Sequence, residues 1–161
     1  MVAFALDFLI IAAYILVLLG LGFGLNAVTG GIALFSSPLA VDLMAFVVLV
    51  VPVVLYFALQ EGSSHQATWG KRRMKLMVVN RQGNRMRPWQ TLFRSFLKFL
   101  PWQLAHTSVI NMWLGNQATI FKVGALTAQG LVIIFIIGIW FNKKHQAPYD
   151  LAAGTYVVST G

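Results

Sequence analysis

Two aspartates could do chemistry here because of where they stand. Asp7 lies roughly 9 Å of helix rise beyond Met1, at the start of a stretch that is otherwise oil. A short carboxylate cannot snorkel to the headgroups as lysine does, so it needs a cation, a network of donors or a proton. Asp7 therefore reads as an ion or proton site, or as half of a fixed polar cluster with Arg94, Lys71 or Arg72 at the inner rim of a membrane. Asp150 follows Pro148 and precedes Leu-Ala-Ala-Gly154-Thr155. It has the chemistry of an N-cap for a short helical turn closed by Gly154. Brought under a helix bundle, it would meet the same basic residues as Asp7. His106 and Asn111, about a turn and a half apart, can line a polar path, or His106 can bond to a helix neighbour.

Other chemistries have no foothold. His65 and His145 lack companion ligands at metal spacing, so no metal site is expected. The sequence shows no Ser-His-Asp order, no phosphate-cradling glycine loop and no carboxylate pair at catalytic spacing. No catalytic residue and no cofactor are expected, and the chain does not read as an enzyme. Cysteine is absent, which excludes disulfides, thiolate metal sites and a cysteine nucleophile.

Positive charge is concentrated. Lys71, Arg72, Arg73, Lys75, Arg81, Arg85, Arg87, Arg94 and Lys98 are most of the 12 Lys and Arg, against only 4 Asp and Glu. In a soluble chain a net charge of +8 would suggest nucleic acid. In a chain that is 58% hydrophobic and 10% charged, the same excess is what cytoplasmic loops of membrane proteins carry, and no nucleic-acid partner is expected. The block orients the chain with residues 61–98 in the cytoplasm. Its outward residues, Arg73, Lys75, Arg85, Arg87, Lys98 and Trp89, are candidates for contact with anionic headgroups.

These residues must be positioned by membrane-spanning helices. Phe8–Val41, Leu43–Leu59, Phe99–Phe121 and Val123–Asn142 carry no charged side chain, and roughly 17 or more apolar residues suffice to cross a bilayer. The spacing predicts an all-α membrane protein with spans over about 1–21, 42–60, 97–114 and 126–141. The first span lacks a basic leader and reads as retained. Gly20, Gly22 and Gly24 loosen its far end, and Val28–Ser37 forms an outer loop. Pro52 removes one backbone bond and should kink the second span, which a membrane tolerates when neighbours fill the freed carbonyl. Glu61-Gly-Ser-Ser-His brings the chain into water, opening the cytoplasmic basic segment 61–98. There Met74–Asn80 is a strand, and Arg85-Met-Arg87 can pair back on it as a short hairpin. Trp89, Leu92, Phe93, Phe96, Leu97 and Leu100 fall on one face of an interfacial amphipathic helix, Trp89–Leu100. The polar third crossing could instead be re-entrant. An even number of crossings between the basic block and Lys143-Lys144 places both termini inside, with a C-terminal arm over 142–161.

The motifs resemble those of the RDD family of small bacterial inner-membrane proteins. Ala3-Phe-Ala-Leu-Asp7 is similar to the family's opening motif. Thr68-Trp-Gly-Lys-Arg72 followed by Leu76-Met-Val-Val79 and Gly83 is similar to its Thr-x-Gly-Lys motif, strand and turn. Arg94 and Tyr149-Asp-Leu-Ala-Ala-Gly-Thr155 complete the likeness. The arginine that relatives carry about seven residues before the first aspartate would fall before Met1. The resemblance implies ion transport, sodium–proton exchange in some relatives, with Asp7 and Asp150 as the sites for a monovalent cation and proton. The rival reading is a non-transporting module that organises lipid or a partner protein. A chain of 161 residues forms a thin bundle, so a transport path would call for a homo-oligomer.

Overall fold

A computed structural model describes residues 2–29, 37–141 and 146–160. Among them, three helices are long and apolar enough to cross a membrane: Val2–Val28, Pro38–Gly62 and Thr119–Gly138. The first belongs to α1, Val2–Thr29. It runs straight through Gly20, Gly22 and Gly24 rather than loosening near Leu21. A glycine costs a helix about 1 kcal/mol, whereas backbone left unpaired in lipid costs several, so the helix wins. Val28 is thus helical, and residues 30–36 of the expected outer loop lie outside the described residues.

The second long helix is compound: α2, Pro38–Ala45, a π-helical turn over Phe46–Val50, and α3, Val51–Gly62. Ser37 caps it by accepting the Ala40 N–H at 3.2 Å, so it begins before Asp42. Its irregularity centres on Pro52, which has no N–H for the Val48 carbonyl four residues back. Tyr14 of α1 donates its hydroxyl to that carbonyl.

The amphipathic stretch and the doubtful third crossing turn out to be a single helix, α5, Pro88–Trp113, with Pro101 inside it. It lies antiparallel to the second helix along its whole length. Arg94 meets Glu61 near one end, and Thr107 donates to Asp42 at 3.0 Å near the other. After a turn at residues 114–118, α6, Thr119–Gly138, returns beside it. The two approach so closely that a Cβ on Gly124 would sit 2.4 Å from the Ser108 hydroxyl. Lys143 and Lys144, expected to anchor the end of this helix, lie outside the described residues. The core between the helices is Ile11, Val50, Val53, Val54, Phe57 and Phe99, while large apolar side chains such as Leu16, Phe23, Ile120 and Leu126 point outward.

The expected hairpin is replaced by a different pairing. Strand β1, Leu76–Asn80, pairs antiparallel with β2, Thr155–Ser159, with Val78 opposite Val157. The turn at Asn80–Asn84 does form, its Asn80 carboxamide accepting N–H groups from Gln82 and Asn84, but residues 85–87 then lead straight into α5. Val78 and Val79 are buried, and the C-terminal strand supplies what residues 85–87 cannot: an apolar, β-branched partner. A short helix α4, Trp69–Arg73, precedes β1, and α7, Pro148–Ala153, precedes β2. Together with the starts of α1 and α5 they form a layer at one end of the long helices, the basic end.

If Tyr14 serves to fill the Val48 carbonyl, Tyr14→Phe should lower stability by about 1 kcal/mol without changing packing. Thermal unfolding in detergent measures this, and an unchanged midpoint would show that the carbonyl needs no protein donor.

Candidate functional site

At the basic end, Asp7 is 1% exposed and receives three donors. The Thr68 hydroxyl donates to Oδ2 at 2.5 Å, while the Gly70 N–H donates to Oδ1 at 2.8 Å and the Tyr56 hydroxyl to the same oxygen at 3.1 Å. The local sequence explains the seat. Thr68 is the N-cap of α4, which leaves the Gly70 N–H without an intrahelical partner, and a carboxylate is the natural acceptor there. Position 70 must be glycine because a Cβ would stand 2.2 Å from the Ala3 carbonyl oxygen of α1. None of these partners is a cation.

The next residue leads to a second carboxylate. Lys71 Nζ donates to Glu61 Oε1 at 2.6 Å, and Glu61 Oε2 accepts from Arg94 Nη1. Arg94 Nε in turn donates to Asp150 Oδ1 at 2.6 Å. Asp150 also accepts from the Thr155 hydroxyl at 3.1 Å and from the Ala147 N–H at 3.2 Å. It is the third residue of α7, not its N-cap. That helix closes as expected on Gly154, in the left-handed conformation at φ 65°. The Tyr149 ring lies against the Arg94 guanidinium at 5.3 Å, and burial raises its phenol above the usual range. Burial also pushes the Lys71 ammonium down, against the pull of Glu61. Glu61, Arg94 and Asp150 are each at most 3% exposed, so this is a buried chain of alternating charge, Lys71, Glu61, Arg94, Asp150.

The structure thus brings Lys71, Arg94 and Asp150 together and places Asp7 next to them through Gly70, without a direct ion pair. Arg72 stays outside, donating to Gln60 at 3.0 Å. Arg73 stacks over Trp69, Lys75 and Arg87 are exposed, and Arg85 donates to the Gly62 carbonyl at 2.9 Å. Trp89 is exposed. Lys98 turns inward, its ammonium 3.4 Å from the centre of the Phe57 ring. His106 sits about 18 Å further along α5 than Arg94, its ring against Trp102.

Glu61 is the residue that reading along the chain misses. It does not lead into water but is wholly buried. Its signal was contextual: an acid in the last turn of a helix opposes the helix dipole, which calls for a cation nearby. Tyr56 carries no signal, and Thr155 stands out only as the last residue of the Tyr149–Thr155 motif.

Apolar helices too long for a soluble core of this size, closed at one end by a buried ion-paired layer, define a multi-pass helical membrane protein. The family model for the RDD family matches residues 1–154, and the chain belongs to that family. No curated protein and no solved structure matches it.

Arg94→Leu leaves Glu61 paired with Lys71 alone and Asp150 buried without a paired cation, and should cost about 3–5 kcal/mol. Arg72→Ala, at the exposed pair with Gln60, should cost under about 0.5 kcal/mol. Comparing the unfolding midpoints of the two variants checks whether burial sets the difference. Separately, Gly70→Ala should cost about 2–3 kcal/mol by forcing α1 away from α4, and folded yield at the wild-type level would show that the contact yields easily.

Proposed function

We propose that this RDD-family protein is a non-enzymatic, four-span module of the bacterial inner membrane whose cytoplasmic layer engages anionic lipid headgroups. One observation carries the reading. The three acidic residues at the basic end, Asp7, Glu61 and Asp150, are all buried and engaged by the chain's own donors. The surface they leave is cationic, with Arg73, Lys75, Arg81 and Arg87 exposed beside Trp69 and Trp89. Each well-placed cation is worth about 1 kcal/mol toward an anionic leaflet.

Four crossings are supported by α5, which keeps pace with the second helix from Glu61 to Asp42 and so traverses the same depth. The position of the two chain ends fits an even number of crossings. Ala3 packs on Gly70, and β2 pairs with β1, so both ends stand on the side of the basic segment. The excess of Lys and Arg on that side supports its lying in the cytoplasm. A cysteine at Gln117, in the turn between α5 and α6, should react with an impermeant thiol reagent in intact cells. One at Ser159 should react only after the membrane is opened. Protection of residue 117 in intact cells would remove the four-span arrangement.

Cation–proton exchange is the second reading, favoured by the seat of Asp7 among neutral donors, which leaves its charge without a fixed counter-ion. The two functions separate in proteoliposomes. The expected result is no cation-dependent proton movement by the wild type, and loss of folded yield for Asp7→Asn, because an amide cannot accept from all three donors at once. Cation-driven proton flux that Asp7→Asn abolishes at normal yield would establish exchange instead.

A further inference from the structure

A groove of about 430 Å³ lies on the outer side of the seam between the second helix and the first turns of α5. One wall is Phe46, Val54 and Leu55, and the other is Trp89, Phe93 and Phe96. Its lining is apolar throughout, apart from the indole N–H of Trp89, the kind of amphipathic ring that sits at headgroup level.

The size of the groove limits what can lie in it. A helix about 10 Å across fills on the order of 120 Å³ per residue of rise. The groove therefore holds about one turn of a partner helix, too little to seat one. A single flexible hydrocarbon chain fits it. The residues just ahead of the Trp89 wall in the chain bear on the charge of the occupant. Arg87, two residues before Trp89, is exposed, and its guanidinium has no partner among the described residues. Arg85 is also exposed and reaches Gly62, about 10 Å of rise above Leu55, through the carbonyl. The N-terminus of the 26-residue α5 opens at the same place with no side-chain cap, and such a terminus favours an anion. Among the described residues the chain supplies none, because Glu61 and Asp150 are buried in the ion-paired layer and Asp7 among its own neutral donors.

The geometry points to a seat for one anionic phospholipid of the inner leaflet, with an acyl chain in the groove between α3 and α5 and its phosphate at Arg87 and the start of α5. This rests on the lipid-engaging reading above and narrows it from a charged surface to one bound molecule.

Chain-spin-labelled phosphatidylglycerol and phosphatidylcholine, reconstituted with the full chain, test it. Wild type should immobilise the anionic lipid preferentially. Arg87→Gln should reduce that preference about five-fold, the equivalent of about 1 kcal/mol for one cation. Leu55→Trp, which fills the groove from a position already half open to lipid, should remove the immobilised component while the unfolding midpoint stays near wild type. An immobilised anionic component that survives Leu55→Trp overturns the seat. So does loss of preference in Arg73→Gln or Lys75→Gln as large as in Arg87→Gln, since the headgroup would then be shared over the whole basic face. Either outcome leaves general engagement of anionic lipid standing, whereas equal immobilisation of both lipids by the wild type would overturn both.

Discussion

Arg94 between Glu61 and Asp150 is the constraint on which the basic end depends. Its two carboxylates arrive from positions 33 and 56 residues away, one at the end of α3 and one in α7. A buried guanidinium is tolerable only when its charge is met and its donors are filled. Docking α7 beside α5 is therefore part of the same event as packing α5 on α3. The strand pairing of β1 with β2 follows from it, because Thr155 both donates to Asp150 and starts β2. A two-stranded sheet is marginal alone, and here it is fastened by the charge layer beneath it. Such a layer is not a gain in stability over a well-packed apolar one. It sets register: a misplaced α7 would strand two charges.

The Thr68-Trp-Gly-Lys71 segment makes sense as the link between that layer and α1. Thr68 gives its hydroxyl to Asp7 and caps α4, Gly70 gives both an N–H and the space for α1 to pass, and Lys71 turns the other way to Glu61. Three residue types that look unrelated in sequence thereby join two carboxylates on different helices. The seat of Asp7 is built from neutral dipoles, that of Glu61 from cations. The start of α1 is thus held by geometry and the ion-paired layer by charge.

Away from the basic end the fold is governed by the backbone. Pro52 removes one hydrogen bond in a helix surrounded by hydrocarbon, and the chain answers with a π turn and with the Tyr14 hydroxyl on the Val48 carbonyl.

Hydropathy and charge distribution alone fixed the class of protein, the three most apolar helices, the basic segment after the second of them, and the demand of Asp7 and Asp150 for partners, but not that the stretch from Pro88 to Trp113 is one helix. These are local properties: a residue's transfer free energy and its spacing along a helix are written in the chain. The stripe from Trp89 to Leu100 likewise placed Arg94 on the face away from the large apolar side chains. Tertiary structure decided which charges meet. Glu61 looks like the start of a loop until Arg94 and Lys71 close on it, Lys98 looks like a headgroup ligand until it folds over Phe57, and β1 could have paired with residues 85–87 as well as with β2. The reason is physical. An ion pair or a strand ladder is worth its desolvation and ordering cost only in three dimensions, and for Arg94 with Glu61 and Asp150, or β1 with β2, no short window along the sequence contains both partners.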